Sequence, residues 1–143
     1  ISDKLSALAA EKILDNIDEI LDDKLEFKEQ IHGEATYANK IEKLEGKIGW
    51  NNPAESIIGK INGLYKNPGA WFIYNGERYK VLKAKISNGA GNVGTVLDDY
   101  LEISCKYKSI KILEIQRQGR RPQNINEFMF GSQIKKGSNL NNA

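Results

Sequence analysis

The stretch Ala70-Trp71-Phe72-Ile73-Tyr74-Asn75-Gly76-Glu77-Arg78-Tyr79-Lys80-Val81-Leu82-Lys83-Ala84-Lys85-Ile86 decides the fold. Two runs rich in aromatic and apolar residues flank Asn75-Gly76. That dipeptide favours a type I′ turn, in which both central residues take positive φ. The pattern predicts a β-hairpin with strands over residues 70–74 and 78–86. In the second strand Tyr79 and Val81 are followed by Leu82, Ala84 and Ile86, so the apolar face changes parity between 81 and 82. One extra residue in a strand does this, and such β-bulges are frequent where small barrels bend. The change leaves Lys83 and Lys85 facing away from Leu82 and Ala84.

Outward from the hairpin, residues 87–94 form a loop rich in Gly and Asn, read as mobile. Residues 94–97, 100–105 and 109–115 read as three further strands joined by short turns. Parity changes again between Ile112 and Leu113. A short helix over 125–130 opens on Asn124, with Glu127 placed for a capping box. Residues 137–143 read as frayed. Upstream, Asn51-Asn52-Pro53 opens a helix over 53–63. Pro suits the first helical position, and Glu55 can close a capping box on Asn52. Ile57, Ile58, Ile61 and Leu64 form its apolar stripe, and the Asn67-Pro68-Gly69 turn follows it. Residues 35–50 read as extended, with Tyr37, Ile41, Ile48 and Trp50 as buried anchors. The expected fold class is mainly β: a small antiparallel OB-like barrel with one packed helix, preceded by an N-terminal helix.

That first helix is read over residues 4–22. Leu5, Leu8, Ala9, Ile13, Ile17, Ile20 and Leu21 recur at the period of one helix face, and Ser2 or Asp3 can cap its start. Residues 23–34 are polar and aperiodic, and read as a linker. The 143-residue chain starts at Ile1 and has one methionine, Met129, so it is expected to be part of a longer protein. The expected organisation is a terminal helix of a preceding domain (1–22), a linker (23–34) and a barrel domain (35–143).

The net charge of +2 conceals an asymmetry. Residues 1–34 carry four lysines against ten acids, and residues 35–143 carry seventeen Lys and Arg against nine acids. An acidic arm of −6 therefore precedes a basic body of +8, which points to a polyanion partner.

Catalytic chemistry is thin. One His and one Cys cannot build a typical zinc site, and His32 lies on the linker. Gly89-Ala90-Gly91-Asn92-Val93-Gly94 fits Gly-x-Gly-x-x-Gly, but it leads toward a strand and not a helix, so it is no dinucleotide site. Asp98-Asp99 reads as an ordinary solvated turn. Cys105 stands alone, which excludes an internal disulfide and fits a reducing cytoplasm. No run is long and apolar enough to cross a membrane as a helix. What is present is cationic: Lys40, Lys43 and Lys47 before the first strand, Lys80, Lys83 and Lys85 on one strand, Arg117, Arg120 and Arg121 after the last, then Lys135 and Lys136. Such groups hold phosphates, and Arg does so through a rigid fork.

At this point the residues resemble a known family. Ala35-Thr36-Tyr37-Ala38-Asn39-Lys40-Ile41 resembles the Ala-Thr-Tyr-Ala-x-Lys signature that opens the C-terminal domain of methionyl-tRNA formyltransferases. Gly46-Lys47-Ile48-Gly49-Trp50 is similar to the family's Ile-Asp-Trp site, with Gly49 where Asp is usual. Pro68-Gly69-Ala70-Trp71 resembles its Pro-Gly-Ala-Trp turn, with Asn67 where Trp is common. Lys80-Val81-Leu82-Lys83-Ala84, Gly94-Thr95-Val96-Leu97 and Gln116-Arg117-Gln118-Gly119-Arg120-Arg121-Pro122 follow in the family's order. The resemblance implies an enzyme that formylates the amino group of initiator methionyl-tRNA from 10-formyltetrahydrofolate in translation initiation. Catalysis and folate would belong to an N-terminal Rossmann-like domain of the same chain, and this part would be non-catalytic and hold no cofactor. It also implies that Lys40, Lys83 and Arg120 bind tRNA. Lys43, Lys85, Arg117, Arg121, Lys135 and Lys136 join that set on charge and position.

Three other readings stand beside it. A sugar-nucleotide formyltransferase has a small substrate, so its C-terminal domain need not be basic. A stand-alone nucleic-acid-binding barrel does not account for the amphipathic helix and linker. A purely structural domain is separated by nucleic-acid binding at graded salt.

Overall fold

A computed structural model describes residues 2–141. The chain divides into two units, Ile1–Asn39 and Lys40–Ala143.

The first unit holds helix α1, Ser2–Leu21, and a 3-10 turn at His32–Glu34. Leu5, Leu8, Ile13, Leu14, Ile17, Ile20 and Leu21 are all exposed, and the helix presents an apolar stripe beside its acids. Asp3 sits in the first turn, where a carboxylate favours the helix dipole. The side chain of Ser2, the other expected cap, lies outside the described residues.

The second unit is a small barrel-like β domain with a packed helix. Its elements are α2 (Ala54–Gly63), β1 (Ala70–Tyr74), β2 (Glu77–Ser87), β3 (Glu102–Ser104), β4 (Ser109–Arg117), β5 (Gln123–Asn124) and α3 (Ile125–Phe130). The sheet is antiparallel in the order β1-β2-β4-β3, with β5 paired to β4. Asn75 and Gly76 have φ of 49° and 76°, the pair of positive values that the β1–β2 hairpin needs. Both parity changes are real and sit opposite each other. Val81 pairs Ile115, Lys83 pairs Glu114 and Ala84 pairs Ile112, so Leu82 and Leu113 are the unpaired extra residues. The double bulge switches the inward face of both strands together. Tyr79, Val81 and Ile115 face the core on one side of it, and Ala84, Ile110 and Ile112 on the other.

An aromatic chain runs through the core. Trp50 meets Phe72 edge-on with centroids 5.7 Å apart, Phe72 stacks on Tyr79 at 5.5 Å, and Tyr79 meets Phe128 edge-on at 5.8 Å. From α2, Ala54, Ile57 and Ile61 complete it, with Ile58 partly buried.

Several sequence expectations are corrected here. Tyr37 and Ile41 are exposed, not buried anchors. The leading segment joins the sheet by backbone pairing at the Lys47–Trp71 bridge, where Ile48 N–H donates to Trp71 O at 2.7 Å, and of the four expected anchors only Ile48 and Trp50 reach the core. The Asn52 capping box does not form. Asn52 Nδ2 donates to Gly49 O, Glu55 accepts from Lys108 Nζ at 2.6 Å, and the first α2 N–H, of Ala54, donates to Tyr107 O. Residues 94–97 make isolated bridges and not a strand. The strand expected over 100–105 shortens to β3, because Leu101 turns at φ 59°. The short β5 was not foreseen.

Two loops expected to be loose are held. Gly89 N–H donates to Glu102 Oε1 at 3.1 Å and Ser109 Oγ at 2.8 Å, and Ser104 Oγ donates to Gly91 O. A Cβ at Gly89 would collide with Glu102 Oε1 and Leu97. The C-terminal segment through residue 141 is part of the barrel. Gly137 N–H donates to Val96 O, Val96 N–H to Ser138 O, and Leu140 N–H to Gly94 O, while Ile134 and Leu140 lie in the core. Residues 142 and 143 lie outside the described set.

Glu102 is the single buried carboxylate among the described residues. Burial disfavours its charged form, but hydrogen bonds from Ser109 and Ser87 and the ammonium of Lys111, 3.1 Å away, outweigh that and hold its carboxyl below the usual range. A lowered folded pKa contributes stability that is complete above the unfolded value, near 4.5, and is lost as pH falls through the folded one. Urea melts between pH 7 and pH 3 are therefore expected to show an acid loss that Glu102→Gln diminishes, with the variant less stable at pH 7. Parallel curves for the two proteins would exclude this role.

Cys105 is buried, and burial pushes its thiol up to about 11. Only about one molecule in a thousand then holds a thiolate at pH 8. Maleimide labelling is expected to spare the native chain and to go to completion in guanidinium. Rapid labelling of the native chain would contradict the burial.

Candidate nucleic-acid interface

Strand β2 builds one cationic face. Arg78, Lys80, Lys83 and Lys85 all point away from the core, because the bulge at Leu82 resets the alternation between Lys80 and Lys83. Trp71 lies opposite Lys80 in the register, on this same outer face. The Arg78 guanidinium sits 5.6 Å from the Trp71 ring centroid, a cation–π contact, and Trp71 Nε1 donates to Lys43 O at 2.9 Å. Lys43, Asn67, Pro68, Arg78 and Lys80 thus surround Trp71 in a shallow pocket of about 170 Å³. Lys80 Nζ donates to Lys66 O at 3.1 Å, and its stem lies against Gly69, where φ is +82° and a Cβ would strike it.

A second group gathers on the other face, at the end of the sheet. Arg117 pairs Tyr79 across β2 and β4 and so shares its inward face. The turn into β5, with Gly119 at φ +71°, carries Arg120 and Arg121. With Gln123 and the end of α3, the three arginines line a cleft of about 580 Å³ floored by Tyr79 and Phe128. Arg117 is engaged: its guanidinium donates to Glu77 Oε1 at 2.6 Å, and Tyr79 OH donates to Glu77 Oε2 at 3.0 Å. The Arg117 hydrogen bond, aided by that of Tyr79, holds the Glu77 carboxyl below its usual range. Burial, then the bond to Glu77, pushes the Tyr79 phenol up to about 12. Neither group changes charge near neutrality, so the triad orders the cleft wall.

The sequence set therefore separates. Lys43, Lys83 and Lys85 fall on the outer face, and Arg117, Arg120 and Arg121 in the cleft. The two meet at a rim, where Gln118 N–H donates to Arg78 O at 2.9 Å. Lys135 and Lys136 lie on the exposed C-terminal segment beside Ser138, and Lys40 at the start of the unit. Among the described residues, Lys40, Lys43, Lys83, Lys85, Arg120, Arg121, Lys135 and Lys136 have no carboxylate within ion-pair distance. Arg78 was missed as a candidate, although alternation from Tyr79 places it on the lysine face. Glu77, Gln123 and Gln133 were invisible because only the folded turn brings them to the arginines.

Among the described residues no group of three His, Cys, Asp or Glu side chains could hold a metal, and no helix is long and apolar enough to cross a membrane.

Fold and surface define a small barrel-like β domain with cationic groups on two faces. Residues 40–133 match the family model described as "Formyl transferase, C-terminal domain", and the chain belongs to that family. It is 64% identical over 144 aligned positions to a methionyl-tRNA formyltransferase of Pelagibacter ubique (strain HTCC1062), covering 100% of this chain and 46% of that protein. A methionyl-tRNA formyltransferase of Rhodopseudomonas palustris (strain BisB18) is 36% identical, covering 94% of this chain and 45% of its own length. The chain thus spans about half the length of the curated relatives it matches. Among solved structures, HypX from Aquifex aeolicus in complex with tetrahydrofolic acid is similar with a TM-score of 0.67 at 16% identity, over 90% of this chain and 24% of that one. That likeness is one of fold.

Proposed function

We propose that this chain is the C-terminal, tRNA-binding part of a methionyl-tRNA formyltransferase. The observation that carries the reading is the 64% identity, along all of this chain, to a relative of that name. The whole enzyme formylates the amino group of initiator methionyl-tRNA from 10-formyltetrahydrofolate in translation initiation in the cytoplasm. An N-terminal Rossmann-like domain of the same protein performs the transfer. Helix α1 is the last helix of that domain, residues 23–34 are the linker, and the barrel within the Lys40–Ala143 unit is OB-like.

The folate belongs to that N-terminal domain, as the family resemblance implies. The lysines and arginines of this chain hold RNA phosphate. Unpaired cations on two faces that meet at a rim support that role, since Lys and Arg release counterions from the backbone on binding. Folded RNA presents shape and phosphate more than base edges, so a cationic track suffices for affinity.

The test is direct binding of tRNA to the 143-residue chain at graded salt. Binding that weakens steeply with salt is expected, and absence of binding at low salt would remove the reading.

A further inference from the structure

We propose that the Arg120–Arg121 cleft is a pocket for one unpaired nucleotide of the bound RNA, which holds its phosphate and reads its base. The inference rests on the RNA-binding reading above and adds a ligand class that backbone contacts alone do not require.

Shape is the first argument. The cleft is concave and about 580 Å³ in volume, the size of pockets that take small molecules. A duplex backbone needs only a surface such as the β2 face.

The polar groups are the second argument. Arg120 and Arg121 have no carboxylate partner among the described residues. Among the described residues the side-chain amides of Gln123 and Gln133 have no hydrogen-bond partner. The Glu127 carboxylate also lines the cleft and has no ion-pair partner among those residues, although its backbone N–H is held by Asn124 Oδ1 at 3.0 Å. A carboxylate among arginines repels a plain row of phosphates. It accepts from the exocyclic amino groups of bases, and glutamine amides both donate and accept at base edges. Guanidinium for phosphate, with amide and carboxylate for a base, is the donor and acceptor set of a nucleotide. Tyr79 and Phe128 add an apolar floor.

Position is the third argument. The Gln118–Arg78 backbone bond ties this turn to the start of the β2 face. An RNA strand following Lys85, Lys83, Lys80 and Arg78 reaches the cleft at its rim. Sequence reading in RNA is concentrated on loops, bulges and ends, where a base is free to leave the stack.

The probes are inorganic phosphate, the four nucleoside 5′-monophosphates, and two RNA stem-loops of one stem sequence, with and without a single bulged nucleotide. Each is titrated into the 143-residue chain. At least one monophosphate is expected to shift the amide resonances of residues 119–133 and to bind about tenfold tighter than phosphate. The bulged RNA should bind about tenfold tighter than its regular partner. Gln133→Ala, at an exposed position, should abolish that advantage and leave the salt dependence unchanged, with Gln123→Ala as a second variant; Glu127→Gln should change the preferred base. Equal binding of phosphate and every monophosphate, or of the two RNAs, would make the cleft a plain anion site and overturn the inference while RNA binding stands. Failure of both RNAs to bind at low salt would remove the RNA-binding reading as well.

Discussion

Replacing Arg120 and Arg121 together with alanine is expected to weaken tRNA binding by on the order of tenfold per arginine at low salt, since each loses a hydrogen bond between charged groups. The same change should reduce the slope of log affinity against log salt by up to about two units, at roughly 0.7–0.9 per lost phosphate contact. Among the described residues neither side chain forms an ion pair, so their removal breaks none, although Arg120 helps to hold the Glu77 carboxyl low. Arg117 is a poorer probe. Its loss also releases Glu77, which Tyr79 alone would then hold, and stability would change with affinity. Lys83 and Lys85 report on the other face. Their joint replacement should reduce the slope by a similar amount if RNA spans the rim. The measurement is a salt titration of tRNA binding for the wild type and both double variants. An unchanged slope in the arginine variant would exclude the cleft from the interface, and an unchanged slope in the lysine variant would exclude the β2 face. Deleting the −6 arm of residues 1–34 should tighten binding at low salt, and the gain should fade as the Debye length falls to about 8 Å near physiological salt.

Truncating the chain after Ser132 is expected to abolish cooperative folding of the barrel unit. The lost segment contains Ile134 and Leu140, both in the core, and three backbone hydrogen bonds that tie it to Gly94 and Val96. Emptying one such aliphatic site costs about 2–5 kcal/mol. Two of them together approach the whole stability of an ordinary domain, about 5–15 kcal/mol. Leu140→Ala alone should lower stability by about 2–4 kcal/mol in urea melts. A truncated chain that melts like the intact one would show that the segment only lies against the barrel.

The reach of the sequence is clearest in the hairpin and its bulges. Asn75-Gly76 prescribes positive φ locally, and nothing distant can supply a cheaper turn for those two residues. The parity changes at Leu82 and Leu113 were legible because a half-buried strand has a strict period of two, so a break in alternation marks an extra residue. The four outward cations of β2 follow from that arithmetic, and the family resemblance follows from short motifs kept in order. Long-range pairing was not legible. The expected capping box at Asn52 obeyed a sound local rule, but the loop at Tyr107 reached the first helical N–H, and Glu55 turned to Lys108. Tyr37 and Ile41 look like core residues, yet neither lies in a strand and both side chains are exposed. Residues 137–141 look frayed because Gly, Ser and Asn dominate them, and only their pairing with Gly94 and Val96 makes Leu140 a core residue. The cationic set divides in the same manner. Its members are visible as letters, but its division between the β2 face and the arginine cleft depends on which face of the sheet each strand end presents. A residue's conformation is set mostly by its neighbours in sequence, whereas its surroundings are set by segments tens of residues away, and only the tertiary structure brings those together.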